Sequence, residues 1–360
     1  MHLGIIMECE YRTGRTQDEA FDEAFALADL VERGGLDGAW IAERHFASIG
    51  RALDPAGGGI PSFASAPLIL ASALAARTSR IRLGIAVSVL PLAHPVRLAE
   101  EVATLDQISK GRLDFGVGRS GFQAAYNGYA VPYGESRERF QECLDILLLA
   151  WSQDAFSYHG QYYSFDDVCV IPKPRQHPHP PLRIAATTTD TFPMVGAMGY
   201  PIFIGLRGAD VPQNLEFLAA YRTAWKQAGH DGDGDVLLRI PVYVADTAER
   251  AIDEPMASTM HSYKRLAERF AASATIAGAA TSEDRDQRAG RLTAAGYDEL
   301  LRNRLAYGTP ETVVAKLRQL RDDLGVSGFI IEPNVGGGVP REQVFRSVEL
   351  FCNEVAPHLR

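Results

Sequence analysis

The chain has 360 residues, 46% hydrophobic and 22% charged, the composition of an ordinary globular protein and a length that one α/β barrel can fill. Its net charge of −9 speaks against nucleic acid as a partner, because a phosphate backbone needs a basic surface. Cys9, Cys143, Cys169 and Cys352 are scattered without a CxxC pair, so buried thiols in a reducing cytoplasm are expected, not a zinc site or a disulfide frame. The opening MHLGIIMECEYR has no basic flank for its short apolar run. No apolar stretch approaches membrane-spanning length, and no membrane partner is expected.

Short apolar runs alternate with amphipathic ones, the pattern of a parallel sheet made of βα units. The strand candidates are Leu3–Met7, Ala39–Ala42, Ile81–Val89, Leu113–Val117, Leu182–Ala185, Pro201–Ile204, Leu237–Val244 and Gly328–Glu332. Such a set fits one closed (β/α)8 barrel over residues 1–360. The first helix opens on a capping box, Thr16 with Glu19, and stops near Gly34-Gly35. After Ile81–Val89, His94-Pro95 opens a helix with the stripe Leu98, Val102, Leu105, and Gly111 stands past its end. His94 suits a capping role there better than a catalytic one. Leu113–Val117 then runs straight into Gly118-Arg119-Ser120-Gly121.

Arg137–Trp151 reads as a helix with Phe140, Leu144, Leu147, Leu148 and Trp151 on its buried side. Phe156–Pro181 reads as a small hairpin and an extended, proline-rich crossing; its HPHP at 177–180 has no carboxylate partner and is not expected to bind metal. Thr187-Thr188-Thr189-Asp190-Thr191 follows an apolar strand and opens a helix. Ala271–Ala295 is polar with little periodicity and is expected to be a mobile loop insertion. Pro310 starts a late helix that ends by Gly325, and a closing helix runs from Arg341.

In such a barrel the active site lies at the carboxyl ends of the strands. Glu8, then Glu43 and His45, then Arg119, the threonine cluster and Glu332 all fall there. An arginine flanked by glycines suits an anion, since the backbone can approach closely and the guanidinium supplies charge. The threonines either bind phosphate at the helix start or simply cap it. Gly336-Gly337-Gly338 is a rival phosphate loop after the last strand.

The pieces LPLAHPVRLAEEVATLDQISKGR and FGVGR, with GLDGAWIAERHF, PPLRIAATTTDT and YGTPETVVAKLRQL, closely resemble the bacterial luciferase family of flavin-dependent monooxygenases. The resemblance implies a luciferase-like TIM barrel with insertions after strands 4 and 7. It implies a two-component enzyme that takes reduced FMN from a separate reductase. With O2 this forms a C4a-peroxyflavin, which oxygenates a small hydrophobic organic substrate. On that basis Arg119, Thr187, Thr188 and Thr191 hold the flavin phosphate, and the triple glycine becomes a turn and pocket wall. Ala86-Val87 is the non-proline cis peptide beneath the ring, and Ala42, Gly118, Ser120, Phe122 and Leu206 line the ring. Glu43 and His45 are the catalytic candidates, with His45 able to shuttle protons.

One departure stands out. The family's luciferases carry two adjacent histidines after the glutamate, and here the first is Arg44, which counts against light emission or aldehyde oxidation. Arg44 either binds an acidic substrate or points to solvent. Two alternatives stay open: F420-dependent hydride transfer, and a noncatalytic flavin-binding partner subunit. No GxGxxG opens a helix after a strand, which favours imported reduced flavin. A cytoplasmic homodimer completes the expectation.

Overall fold

Strand pairing in a computed structural model, which describes residues 1–10, 15–46, 62–121, 123–273 and 282–360, closes a parallel barrel. In chain order the strands are β1 (His2–Met7), β2 (Gly38–Ile41), β3 (Arg82–Val89), β4 (Leu113–Gly118), β5 (Phe156–His159), β6 (Ser164–Val168), β7 (Leu182–Ala185), β8 (Ile202–Gly205), β9 (Val236–Val244), β10 (Ala306–Gly308) and β11 (Gly328–Glu332). Around the barrel the order is β1-β2-β3-β4-β7-β8-β9-β11, and the ring closes because β9 pairs with both β8 and β11. β5 and β6 form a separate antiparallel hairpin, and β10 adds to the far end of β9. Every expected barrel strand is present, within one residue at each end.

The helices are α1 (Gln17–Arg33), α2 (Pro67–Arg77), α3 (Pro95–Ile108), α4 (Gln123–Gly128), α5 (Ser136–Ser152), α6 (Thr191–Met198), α7 (Val211–Gln227), α8 (Ala248–Ser273), α9 (Ser282–Ala294), α10 (Tyr297–Asn303), α11 (Pro310–Leu324) and α12 (Arg341–Leu350). α1 starts on the expected capping box and ends at Gly34. His94 caps α3, its ring nitrogen accepting from the Arg97 N–H. None of the described helices is long and apolar enough to cross a membrane.

Two expectations change. Residues 282–294, read as part of a loop, form α9, whose Ala289 and Leu292 are buried; Leu292 packs with Tyr263 and Ala267 of α8. Its apolar stripe is narrow because only every third or fourth position faces a partner, so composition alone looks loop-like. Cys169 is exposed and Cys9 half-buried; only Cys143 and Cys352 are the buried thiols expected of all four.

Two packing devices brace the barrel, one at the amino ends of its strands and one in its interior. Arg112, just after α3, donates to the carbonyls of Ala75, Thr78, Ile81 and Ser109, tying the ends of α2 and α3 to β3. Inside the barrel, Trp40 is 1% exposed and lies against the bare backbone of Gly84, where a Cβ would fall 2.0 Å from its ring. Phe203 meets Trp40 edge-on at 5.0 Å and forms the floor of the mouth above.

Candidate active site

A cavity of about 970 Å³ opens at the carboxyl ends of the barrel strands, a size in the range of small-molecule sites. At one side β4 delivers Gly118, Arg119 and Ser120, and the loop after β7 delivers Thr187, Thr188 and Thr191, all of them lining the cavity. Tyr126 of α4 donates its hydroxyl to the Arg119 carbonyl, and Ser120 takes a φ of 60°, so the turn after β4 is held tightly. Among the described residues no carboxylate pairs with the Arg119 guanidinium. Opposite it, the hydroxyls of Thr188 and Thr191 bond each other at 2.7 Å where α6 begins. Arg288 of α9 donates to the Thr187 carbonyl at 2.8 Å and lines the cavity beside it.

Across the floor, the Ala86-Val87 peptide is cis, as the resemblance implies, and the β3–β4 register slips between Ile85 and Ser88. Both residues line the cavity. The FGVG of β4 makes room for them. A Cβ on Gly116 would stand 2.2 Å from the Ile85 carbonyl, and one on Gly118 would stand 2.6 Å from Val87 Cγ2.

At the end of β2, Glu43 accepts from the Ser88 hydroxyl at 3.2 Å, the Val89 N–H at 3.1 Å and His45 Nε2 at 2.8 Å. With two donors already on it, the Glu43 carboxyl acts toward His45 as an acceptor. The proton then belongs on Nε2, leaving Nδ1 to accept from the Tyr129 hydroxyl at 3.2 Å. Burial and then Glu43 raise the Tyr129 hydroxyl's pKa, so it keeps its proton to donate. The two predicted catalytic residues are thus brought together in one queue, Tyr129 to His45 to Glu43.

The far half of the rim is charged. Arg44 grips Glu8 with Nε and Nη2, each at 2.8 Å, so it neither points to solvent nor stands apart. Arg239 of β9 reaches Glu8 at 2.5 Å and Glu332 at 2.7 Å, and Arg207 reaches Glu332 at 3.0 Å. Burial would push the Glu8 carboxyl up, but Arg239 and Arg44 outweigh it and hold the group well below the usual carboxylate range. Glu10 lines the same cavity and behaves oppositely. Burial, then Glu8 and Glu332, push its carboxyl well above that range.

Ala42 and Leu206 do not reach the lining. Ala42 is fully buried with Trp40, Ile6 and Phe203 in the barrel interior, and Leu206 packs into the outer core while its neighbour Arg207 faces the cavity. Phe122 lies outside the described residues, as does most of the Ser48–Phe63 loop. Gly336 and Gly337 turn at positive φ, and Gly338 is pinned to Ser258 of α8; none of the three lines the cavity. Sequence reading missed Glu10, Tyr129, Arg207, Arg239 and Arg288. Arg239 had a signal, a lone charge within the apolar LLRIPVYV, which a buried strand tolerates only with a partner. Tyr129 and Arg288 had none, since each reaches the site from an added helical segment.

Known proteins match this architecture. A 25% identical flavin-dependent trigonelline monooxygenase, oxygenase component, of Acinetobacter baylyi aligns over 66% of this chain and 63% of its own, so the chain spans less than two thirds of that relative's length. An alkanal monooxygenase alpha chain of Photobacterium leiognathi is 24% identical over 96% of each chain. The oxygenating constituent of 3,6-diketocamphane monooxygenase from Pseudomonas putida, solved with FMN, superposes with a TM-score of 0.79 at 21% identity, over 99% of this chain and 98% of its own. The family model described as luciferase-like monooxygenase matches residues 1–328, and the chain belongs to that family.

Proposed function

We propose that the protein is the oxygenase component of a two-component system, taking reduced FMN from a separate flavin reductase and using O2 to oxygenate a small organic substrate with an apolar body. The observation that carries this reading is the convergence of Arg119 with Thr187, Thr188 and Thr191 on one side of a cavity whose floor is bare glycine backbone and Val87. These residues fit FMN. A guanidinium without a carboxylate partner among the described residues and a helix start rich in hydroxyls suit a phosphate, and the glycines leave a flat surface for a ring.

Reduced flavin, when bound, supplies the two electrons that activate dioxygen. The chain's own part is distinct. Arg119 and the threonine hydroxyls neutralise the anionic tail. Val87, Phe203 and Ile330 wall the inner cavity with apolar surface that keeps water out. His45, held in one tautomer by Glu43 and Tyr129, keeps a proton within reach of the cavity. Arg44, being committed to Glu8, replaces a proton-carrying group by a fixed positive charge.

Replacing Arg119 and Thr188 together by alanine is expected to weaken FMN binding about a hundredfold, roughly the sum of one charge-assisted and one neutral hydrogen bond. Flavin fluorescence titration reads this directly. Unchanged FMN affinity in the double variant, or tighter binding of F420 than of FMN by the parent, sinks the reading. We further propose a homodimer in the cytoplasm, on family resemblance. Light scattering that gives a monomer at micromolar concentration would refute the dimer.

A further inference from the structure

A line of hydrogen bonds leaves the cavity at Glu43 and ends in bulk solvent at Tyr129. Glu43 and His45 line the cavity, and their side chains are only 10% and 6% exposed. Tyr129 stands outside the lining and is 45% exposed. The bonds run in one direction, from the Tyr129 hydroxyl to His45 Nδ1 at 3.2 Å and from His45 Nε2 to Glu43 at 2.8 Å. The inner end is fixed as well. Glu43 accepts from the Ser88 hydroxyl and the Val89 N–H, the residues that directly follow Val87 of the floor. At the outer end an apolar ring packs on the joint. Phe46 lies 5.9 Å from the His45 ring and 5.4 Å from the Tyr129 ring. It rests on the bare backbone of Gly128, where a Cβ would fall 2.1 Å from its ring. A phenyl ring carries no exchangeable proton, so the polar edge of this aromatic group is the Tyr129 hydroxyl and the His45 imidazole.

We infer that Tyr129 is the solvent-side port of a proton path, and that His45 and Glu43 carry the proton from it into the cavity during turnover. The inference rests on the proposed oxygenase reading for its use. Each dioxygen then consumes two electrons and two protons, one oxygen atom entering the substrate and the other leaving as water. Anionic reduced FMN brings the electrons and one proton; the second proton is the one this path supplies. Each member gives the proton it holds to the next and receives one from behind. One proton therefore enters from water at Tyr129 for each one that Glu43 releases to the cavity. The path matters because Val87, Phe203 and Ile330 wall the inner cavity with apolar surface that water does not cross once the mouth is filled. Lying outside the lining, Tyr129 acts only through His45, as a positioning residue.

Tyr129→Phe tests it, because that change removes one hydroxyl and keeps the ring. The first reading needs no flavin. Nitrogen-15 NMR of the flavin-free parent, with His45 assigned by the signals missing in His45→Asn, is expected to show the proton on Nε2 and a bare Nδ1. The second uses the FMN-loaded protein, photoreduced and mixed with aerated buffer in a stopped-flow instrument. Tyr129→Phe is expected to slow flavin reoxidation about fivefold or more, with FMN affinity within about twofold of the parent. Added imidazole, a diffusible proton carrier, is expected to restore most of the lost rate in the variant and to leave the parent unchanged. In the His45→Asn background Tyr129→Phe is expected to slow the reaction no further, since both act on one path. A proton on Nδ1, a parental rate in Tyr129→Phe, a slowing that imidazole does not relieve, or additive slowing in the double variant overturns the inference. FMN binding is read separately by fluorescence. A protein that refuses FMN while His45 keeps its proton on Nε2 refutes the proposed function; one that binds FMN and reoxidises it equally fast without the Tyr129 hydroxyl refutes this inference alone.

Discussion

His45 has its orientation imposed from both sides, by Glu43 at Nε2 and Tyr129 at Nδ1, and this separates it from an incidental surface histidine. Its ring also stacks edge-on against Tyr129 at 4.9 Å. An asparagine there keeps some polarity but cannot relay a proton between two partners. His45→Asn is therefore expected to change the rate at which bound reduced FMN is reoxidised in aerated buffer by about tenfold or more, with FMN affinity altered less than about twofold. Stopped-flow absorbance after mixing with photoreduced FMN gives the rate, and an unchanged rate removes His45 from the machinery. Residue type and position after β2 were enough to select Glu43 and His45. Their mutual bond, and the third member Tyr129, depended on where α4 comes to rest.

Among elements, the joint between α2 and β3, tied by Arg112 through its carbonyls, is held through its N–H groups by one carboxylate. Glu32 of α1 accepts from the N–H groups of Ser79, Arg80 and Ile81 and from the Ser79 hydroxyl. Burial alone would raise this group, but those donors outweigh it and hold it at about 2. Because the folded value lies below the unfolded one of roughly 4.3, the contribution is present above that pH and is lost as the pH falls toward 2. Glu32→Gln is expected to lower stability at pH 7 by about 1 kcal/mol, a figure discounted for solvent screening. Urea denaturation at a series of pH values should show the gap between variant and parent closing below about pH 4. A gap that stays constant down to pH 3 would contradict it. Nothing in the sequence pairs Glu32 with residues almost fifty positions away. By contrast α1, α3 and the barrel strands were legible, because capping residues, glycine stops and apolar runs are local signals. α9 was not, since its stripe is read only against α8.

For the whole molecule, the barrel interior sets the floor on which the site stands. Trp40 fills the space that Gly84 and Gly4 leave open, with a Cβ on Gly4 falling 2.7 Å from the indole nitrogen. Gly84→Ala has no room to relax between buried strands and is expected to cost about 3 kcal/mol, the upper range of overpacking. Thermal or urea unfolding measures this, and a loss under about 1 kcal/mol would mean that Trp40 can repack. The alternation of apolar strands with helices, and the punctuation around them, already determined a parallel barrel, its strand boundaries and which polar residues end its strands. Those properties follow from backbone sterics and from the side-chain period of each element, which act over a few residues. Only the tertiary structure decided that Arg44 belongs to Glu8, that Arg207 and not Leu206 faces the cavity, and that Arg239 links Glu8 to Glu332. Charge pairing in a closed ring depends on distances between strands far apart in the chain, and no local rule carries that information.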